Sequence, residues 1–391
     1  MKTEATQQFI FHINYLCKNN LEIKSLYMKR NLLFFFIISF STLLSAQELL
    51  TKSTFDNIEY VEDIEWSSDD IYCAGFSFKT AINDGNSSDA YLVNYDTTLK
   101  PKWSLKISDK HSNKINSIIR YKDKIYALVT QGKISPQTED VFISLFTINL
   151  EGVIENKINI GRAFSSPSNI VINGSNLIFG YKVPDGITYS ADSKSEIINY
   201  NLATKKLVRH KSSQYQATPK KILAEKSDIF LFGNYIHPNQ PNIMAYRNGK
   251  YSEISLKSSK TEYFLDSYIN KNIVTVVCAF PGVYGDMKKY LKFYYINLNN
   301  NTINSKSIPY EKLGWSDQHF DTYSTGSSSW LIIENHQTKA LQYVLIDNTG
   351  KISKTLNFDR DNGNGSWERY IIKEGMLLNA NSSGIKIYKI D

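Results

Sequence analysis

Seven times along the chain an apolar stretch runs into a turn that opens with Asp or Asn, at Asp96, Asn149, Asn201, Asn248, Asn297, Asp347 and Asp391. Tyr91-Leu-Val-Asn-Tyr-Asp96, Leu145-Phe-Thr-Ile-Asn149 and Val344-Leu-Ile-Asp347 show the pattern. Successive turn residues lie 53, 52, 47, 49, 50 and 44 apart. Self-similarity at a period of about fifty marks an array of one supersecondary unit, and strand-only units of that length are propeller blades.

The first unit shows how each blade is built. Ile58 to Trp66 alternates apolar and polar residues, and Ser67-Ser-Asp-Asp70 makes a turn. Ile71-Tyr-Cys-Ala-Gly-Phe-Ser-Phe78 is a second, more apolar strand, followed by a polar loop from Lys79 to Asp89. Ala90–Tyr95 and Trp103–Ile107 complete an antiparallel meander. Later second strands, such as Asp228-Ile-Phe-Leu-Phe-Gly233, are near-continuous apolar runs, as strands covered on both faces by neighbouring blades must be. The last unit has three strands where the others have four, and Glu48-Leu-Leu-Thr-Lys-Ser-Thr-Phe55 is a spare strand before the first unit. The expected fold is therefore all-β: a seven-bladed β-propeller of four-stranded antiparallel blades. Pairing of the N-terminal strand with Gly384–Ile390 would close the ring and remove an edge open to aggregation.

Met28-Lys-Arg, the apolar run Leu32–Leu44 and the small residues Leu44-Ser-Ala46 read as a secretory signal peptide. The run falls short of the about 20 residues a membrane span needs. The domain reading is an upstream extension, 1–27, that is non-translated or disordered, a signal peptide, 28–46, and one propeller domain, 47–391. No Cys follows the cleavage site, which argues against a lipid anchor. The product is expected in the periplasm, on the outer cell surface or secreted, as a monomer without a membrane span. Removing the first 46 residues takes away five Lys or Arg and two Glu, so the net charge falls from +7 to +4. The remaining Lys are scattered and form no basic stripe for phosphates, so nucleic acid is not an expected partner. Cys73 and Cys278 occur in apolar runs of units one and five, on roughly opposite sides of the expected ring. They are read as free buried thiols, since a disulfide needs Cα atoms within about 7 Å.

The segments Ile71-Tyr-Cys-Ala-Gly-Phe-Ser, Asn86-Ser-Ser-Asp-Ala-Tyr-Leu-Val-Asn-Tyr-Asp96 and Trp103-Ser resemble the bacterial β-propeller repeat family known as SBBP or delta-60-like repeats. The resemblance covers one unit; Tyr200-Asn201 lacks the Asp, and no later unit has the Trp in its place. It implies a largely non-enzymatic scaffold or binding surface in an exported protein, with no catalytic residues to carry over.

Chemistry-bearing patterns are few. Asp317, His319 and Asp321 alternate, so a strand would project all three from one face near the channel mouth. They are the weak catalytic candidates of an alternative reading, an exported hydrolase or lyase. Asp359-Arg-Asp-Asn-Gly-Asn-Gly365 is out of step with a calcium loop, because Gly363 stands where a ligand belongs. No metal site or cofactor is expected, and G-x-S-x-G, WD and Gly-Gly kelch signatures do not occur. The loops joining second and third strands are the long ones, and they share one end of the ring with the connections between units. Tyr189, Tyr235, Tyr284, Tyr310 and Trp315 would stand there as ligand-binding rings. The expected function is a binding or scaffold module for a protein or polysaccharide of the cell envelope.

Overall fold

The computed structural model describes residues 48–79, 87–109, 112–134, 139–184, 193–211, 217–234, 241–256, 262–280, 290–309, 320–324, 328–334, 341–347, 351–358 and 369–390. The chain divides into Met1–Glu48 and Leu49–Asp391, and the propeller belongs to the second unit.

All described regular structure is strand. β1 (Glu48–Ser53) comes first. The first sheet is β2 (Tyr60–Trp66), β3 (Ile71–Phe78), β4 (Ser88–Tyr95) and β5 (Pro101–Ile107). The second is β6 (Ser112–Tyr121), β7 (Lys124–Ile134), β8 (Glu139–Asn149) and β9 (Ile154–Arg162). The third holds β10 (Val171–Asn173), β11 (Asn176–Val183), β12 (Lys194–Asn201) and β13 (Leu207–Lys211). The fourth holds β14 (Thr218–Glu225), β15 (Asp228–Asn234), β16 (Pro241–Arg247) and β17 (Lys250–Ser255). The fifth runs β18 (Tyr263–Asn270), β19 (Ile273–Phe280), β20 (Tyr290–Asn297) and β21 (Ile303–Pro309). The sixth runs β22 (Phe320–Ser324), β23 (Ser328–Glu334), β24 (Leu341–Asp347) and β25 (Ile352–Phe358). β26 (Arg369–Lys373), β27 (Met376–Asn381) and β28 (Gly384–Lys389) end the described chain.

Six sheets thus use four consecutive strands, and a further four-stranded sheet is composite, in the order β1-β28-β27-β26. The spare N-terminal strand fills the place the strand count left open. Gly384 marks the contact: its φ is 133°, and a Cβ there would lie 2.1 Å from the Ser53 carbonyl oxygen.

Strand alternation explains how sheets become a ring. Side chains of β3 point alternately to two neighbours. Ile71 and Cys73 pack with Leu378, Ala380, Ile385 and Ile387 of the composite sheet. Tyr72 and Ala74 pack with Ile115, Ile125 and Ala127 of the second sheet. Equivalent apolar cores fill every other junction, as Phe230 and Phe232 do with Val274 and Val276. Among the described side chains, β3, β11, β15 and β19 are buried on both faces, which their apolar runs required. Cys73 and Cys278 are free thiols in two of these cores, and burial pushes both up in pKa.

The turn residues act as the sequence pattern implied. The Asp96 Oδ1 accepts hydrogen bonds from the Thr98 and Lys100 backbone N–H groups, each at 2.9 Å. Asn149, Asn201 and Asn297 cap their turns in the same manner. The chain then turns through left-handed residues, including Leu99 at φ 64°, Gly152 at 82° and Lys205 at 58°.

Candidate functional site

In six sheets the first strand lies innermost, and in the composite sheet β26 takes that place. β2 packs on β6 and on β26, β14 on β10 and β18, and β22 on β18 and β26. Four of these strands carry a bulge at the same place: Val61/Asp63, Ile115/Ser117, Pro219/Lys221 and Phe264/Asp266. A bulge adds one residue and re-aims the side chains beyond it. The first paired residue past each bulge is polar.

Ladder register extends this position round the ring. Asp63, Ser117, Lys221, Asp266, Asp321 and Arg369 stand opposite Ala74, Leu128, Phe232, Val277, Ile332 and Ala380. Asn169, before β10, completes the series at spacings of 54, 52, 52, 45, 55 and 48 residues. Polar side chains here tie sheet to sheet. The Asp63 Oδ2 accepts from the Ser117 hydroxyl and from the Ile118 N–H, both at 2.8 Å. The Ser117 Oγ in turn accepts from the Ile170 N–H at 3.1 Å. The Asn169 Oδ1 accepts from the Ile222 N–H at 2.8 Å. Lys221 pairs with Asp266, and the Arg369 Nε donates to the Glu62 carbonyl at 2.7 Å.

The belt holds carboxyls in an unusual state. Burial raises Asp63 to about 6, against hydrogen bonds from Ile118, Ser117 and Ile64 that favour the ionised form. Burial, then the Asp63 charge, raises Glu65 to about 7 despite Arg120 and Lys373 nearby.

At the end where second strands run into third strands, the first sheet gathers aromatic rings. Tyr60 and Phe76 stack at 4.8 Å and 12°. Phe78 meets both edge-on, at 5.4 Å and 5.6 Å. Lys114, at the register of Tyr60 in the next sheet, places its ammonium 5.2 Å from the Phe76 ring centre and pairs with Glu62 at 2.8 Å. Tyr263 holds that register in the fifth sheet. Below it the buried Glu262 accepts from the Tyr290 and Tyr294 hydroxyls, at 3.1 and 2.5 Å, and pairs with Lys292 at 3.3 Å.

Of the residues singled out from the sequence, Tyr189, Tyr235, Tyr284, Tyr310, Trp315, Asp317 and His319 lie outside the described residues, as does the Asp359–Gly365 loop. Asp321 falls on β22 at the belt register. The belt itself escaped the sequence reading, although its signal was present as one polar residue at a period of about fifty. The Tyr60–Phe76–Phe78 cluster escaped because pairing across two strands, not spacing along one, brings it together. Among the described residues no group of His, Cys, Asp or Glu is arranged to hold a metal ion, and no helix is long and apolar enough to cross a membrane.

No protein-family model matches the chain, and no curated protein does. Solved structures resemble the chain only at low identity and with TM-scores below 0.5. The acylaminoacyl peptidase of Pyrococcus horikoshii is 10% identical with a TM-score of 0.49, over 84% of this chain and 50% of that one. The WD40 domain of SCAP from fission yeast is 10% identical with a TM-score of 0.45, over 88% and 98%. A Synechocystis apocarotenoid oxygenase mutant is 11% identical with a TM-score of 0.44, over 75% and 71%.

Proposed function

We propose that this chain is an exported, seven-bladed β-propeller that binds a protein or polysaccharide of the cell envelope, the composite sheet serving as the seventh blade. The observation that carries the reading is the contrast between the two ends of the ring. At one end, short turns are capped by their own Asp and Asn side chains and latched to the next sheet. The Trp103 indole donates to the Leu150 carbonyl at 2.7 Å, and the Arg247 Nη2 to the Leu298 carbonyl at 2.7 Å. Their polar groups are spent on the fold. The other end carries the longer connections between second and third strands and the aromatic cluster of the first sheet. Loops on a rigid scaffold are where recognition concentrates. The basic head, apolar core and small-residue end at 28–46 support export, and unit one's resemblance to an exported repeat family agrees with it.

The test is retention of the mature protein, immobilised, on purified envelope polysaccharide and on solubilised envelope proteins. Retention of one fraction is expected, with a Trp315→Ala, Tyr284→Ala double variant retained several-fold less. Equal retention of wild type and variant would remove those two rings from the binding face.

A further inference from the structure

We propose that Phe78, with Tyr60 and Phe76 behind it, is a stacking platform for a neutral pyranose ring, rimmed by Glu59, Lys79, Lys106 and Lys114. This rests on the reading of the loop end as the binding face and names a ligand class and a site on it.

The platform is held rigid from below. Phe76 is 8% exposed and belongs to the core, whereas Phe78, two residues further along the same strand, is 46% exposed. Two perpendicular edge contacts fix the Phe78 ring, and the parallel Tyr60–Phe76 stack beneath cannot slide, because Gly75 lets β2 press close. A Cβ at Gly75 would lie 2.0 Å from the Tyr60 carbonyl oxygen. The backbone is fixed as well: the Phe78 N–H donates to the Glu59 Oε2 at 3.0 Å. A ring already ordered in the free protein loses little entropy when a ligand stacks on it.

The rim decides the ligand class. Lys79 pairs with Asp89 at 3.1 Å and donates to the Asp109 carbonyl at 2.6 Å. Lys106 also reaches Asp89, at 2.7 Å, and Lys114 holds Glu62. The Asp89 and Glu62 side chains are themselves buried, so the groups that face solvent around Phe78 are the Glu59 carboxylate, with several lone pairs, and the Lys106 ammonium, with three donors. One apolar ring surrounded by mixed donors and acceptors matches a sugar, which offers one C–H face and a girdle of hydroxyls. A protein partner would call for a contiguous apolar patch of several hundred Å². Other exposed apolar side chains among the described residues are dispersed over several sheets: Leu49, Leu50, Ile154, Val208 and Ile303 sit on outermost strands, Val153 in a turn, Tyr263 on β18 and Ile273 on β19.

Affinity electrophoresis of the mature protein through gels containing laminarin, mannan or xylan tests the site. Retardation by at least one polysaccharide is expected. Phe78→Ala should weaken binding by about tenfold, the loss of one good stacking contact, and Phe78→Trp should preserve it. Both variants should melt close to wild type, since the ring is half-exposed; if Phe78→Ala unfolds, Phe78→Ser and the Trp variant carry the comparison. Retardation of Phe78→Ala equal to wild type would overturn the platform. Wild type retarded by none of the three, yet retained on envelope proteins, would overturn the pyranose assignment and leave the wider reading intact.

Discussion

At the scale of single residues, Asp63 carries the sharpest consequence. Its carboxyl receives three hydrogen bonds that favour the anion, yet burial dominates and its pKa stands near 6, against 3.8 for the free side chain. The folded state therefore holds the proton more tightly than the unfolded chain. The stability this lends is present in full below pH 4 and is lost as pH rises through 6, on the order of 3 kcal/mol. Glu65, near 7, extends the decline upward, partly through the Asp63 charge. Asp63→Asn should flatten the dependence, because an amide already fills the equivalent place at Asn169 and bonds both the N–H and the carbonyl of Ile222. Melting temperatures from pH 4 to 7 would show it: a wild-type decline over that range, and a curve for the variant with a smaller slope. An unchanged slope in the variant would place the proton uptake elsewhere.

At the scale of elements, turns and latches between sheets do the positioning. Gly152 shows why a given residue stands where it does. At φ 82° it is left-handed, and a Cβ there would lie 2.7 Å from the Trp103 ring, whose indole is bonded to Leu150 in the same turn. Gly152→Ala should destabilise by about 1–3 kcal/mol, from backbone strain and a displaced Trp. Chemical denaturation would measure this, and a variant as stable as wild type would mean the ring moves aside freely. This turn also shows what could be read from sequence. Asn149 announced it through a side chain that acts on its own neighbours, and such local chemistry recurs with the repeat. The second strands were legible for a related reason, since burial on both faces demands an unbroken apolar run. The belt and the aromatic cluster depend on ladder register, on a bulge that shifts it by one, and on which blade stands alongside. Asp63 meets Ser117, and Tyr60 meets Phe76, only once the strands are paired. Single-strand spacing does not contain that information.

At the scale of the whole molecule, closure decides whether the parts behave as one. Each sheet buries its apolar faces only against its two neighbours, so an open ring would expose both sides of a junction. Ile58, just before the first sheet, and Val61 and Ile64 within it share a core with Leu378, Ala380, Ile385 and Ile387 of the last. β1 belongs to that last sheet while preceding the first in sequence, so it couples the two ends of the chain through backbone hydrogen bonds. Gly384 is where this coupling is most easily broken. Its backbone at φ 133° suits no side-chain-bearing residue, and any Cβ would run into the Ser53 carbonyl and the Thr54 Cα, 2.1 and 2.9 Å away. Gly384→Val should therefore lift β1 off β28 and leave most of the other sheets intact. Hydrogen exchange should show lost protection at Ile385 and Ile387 and in Leu50–Ser53, with β11, β15 and β19 still slow. The freed edge should also favour self-association at high concentration, visible by light scattering. Uniform loss of protection through all sheets would mean that the ring unfolds as one cooperative unit once its clasp is opened. Unchanged protection at the seam would mean that the β1–β28 pairing does not depend on Gly384.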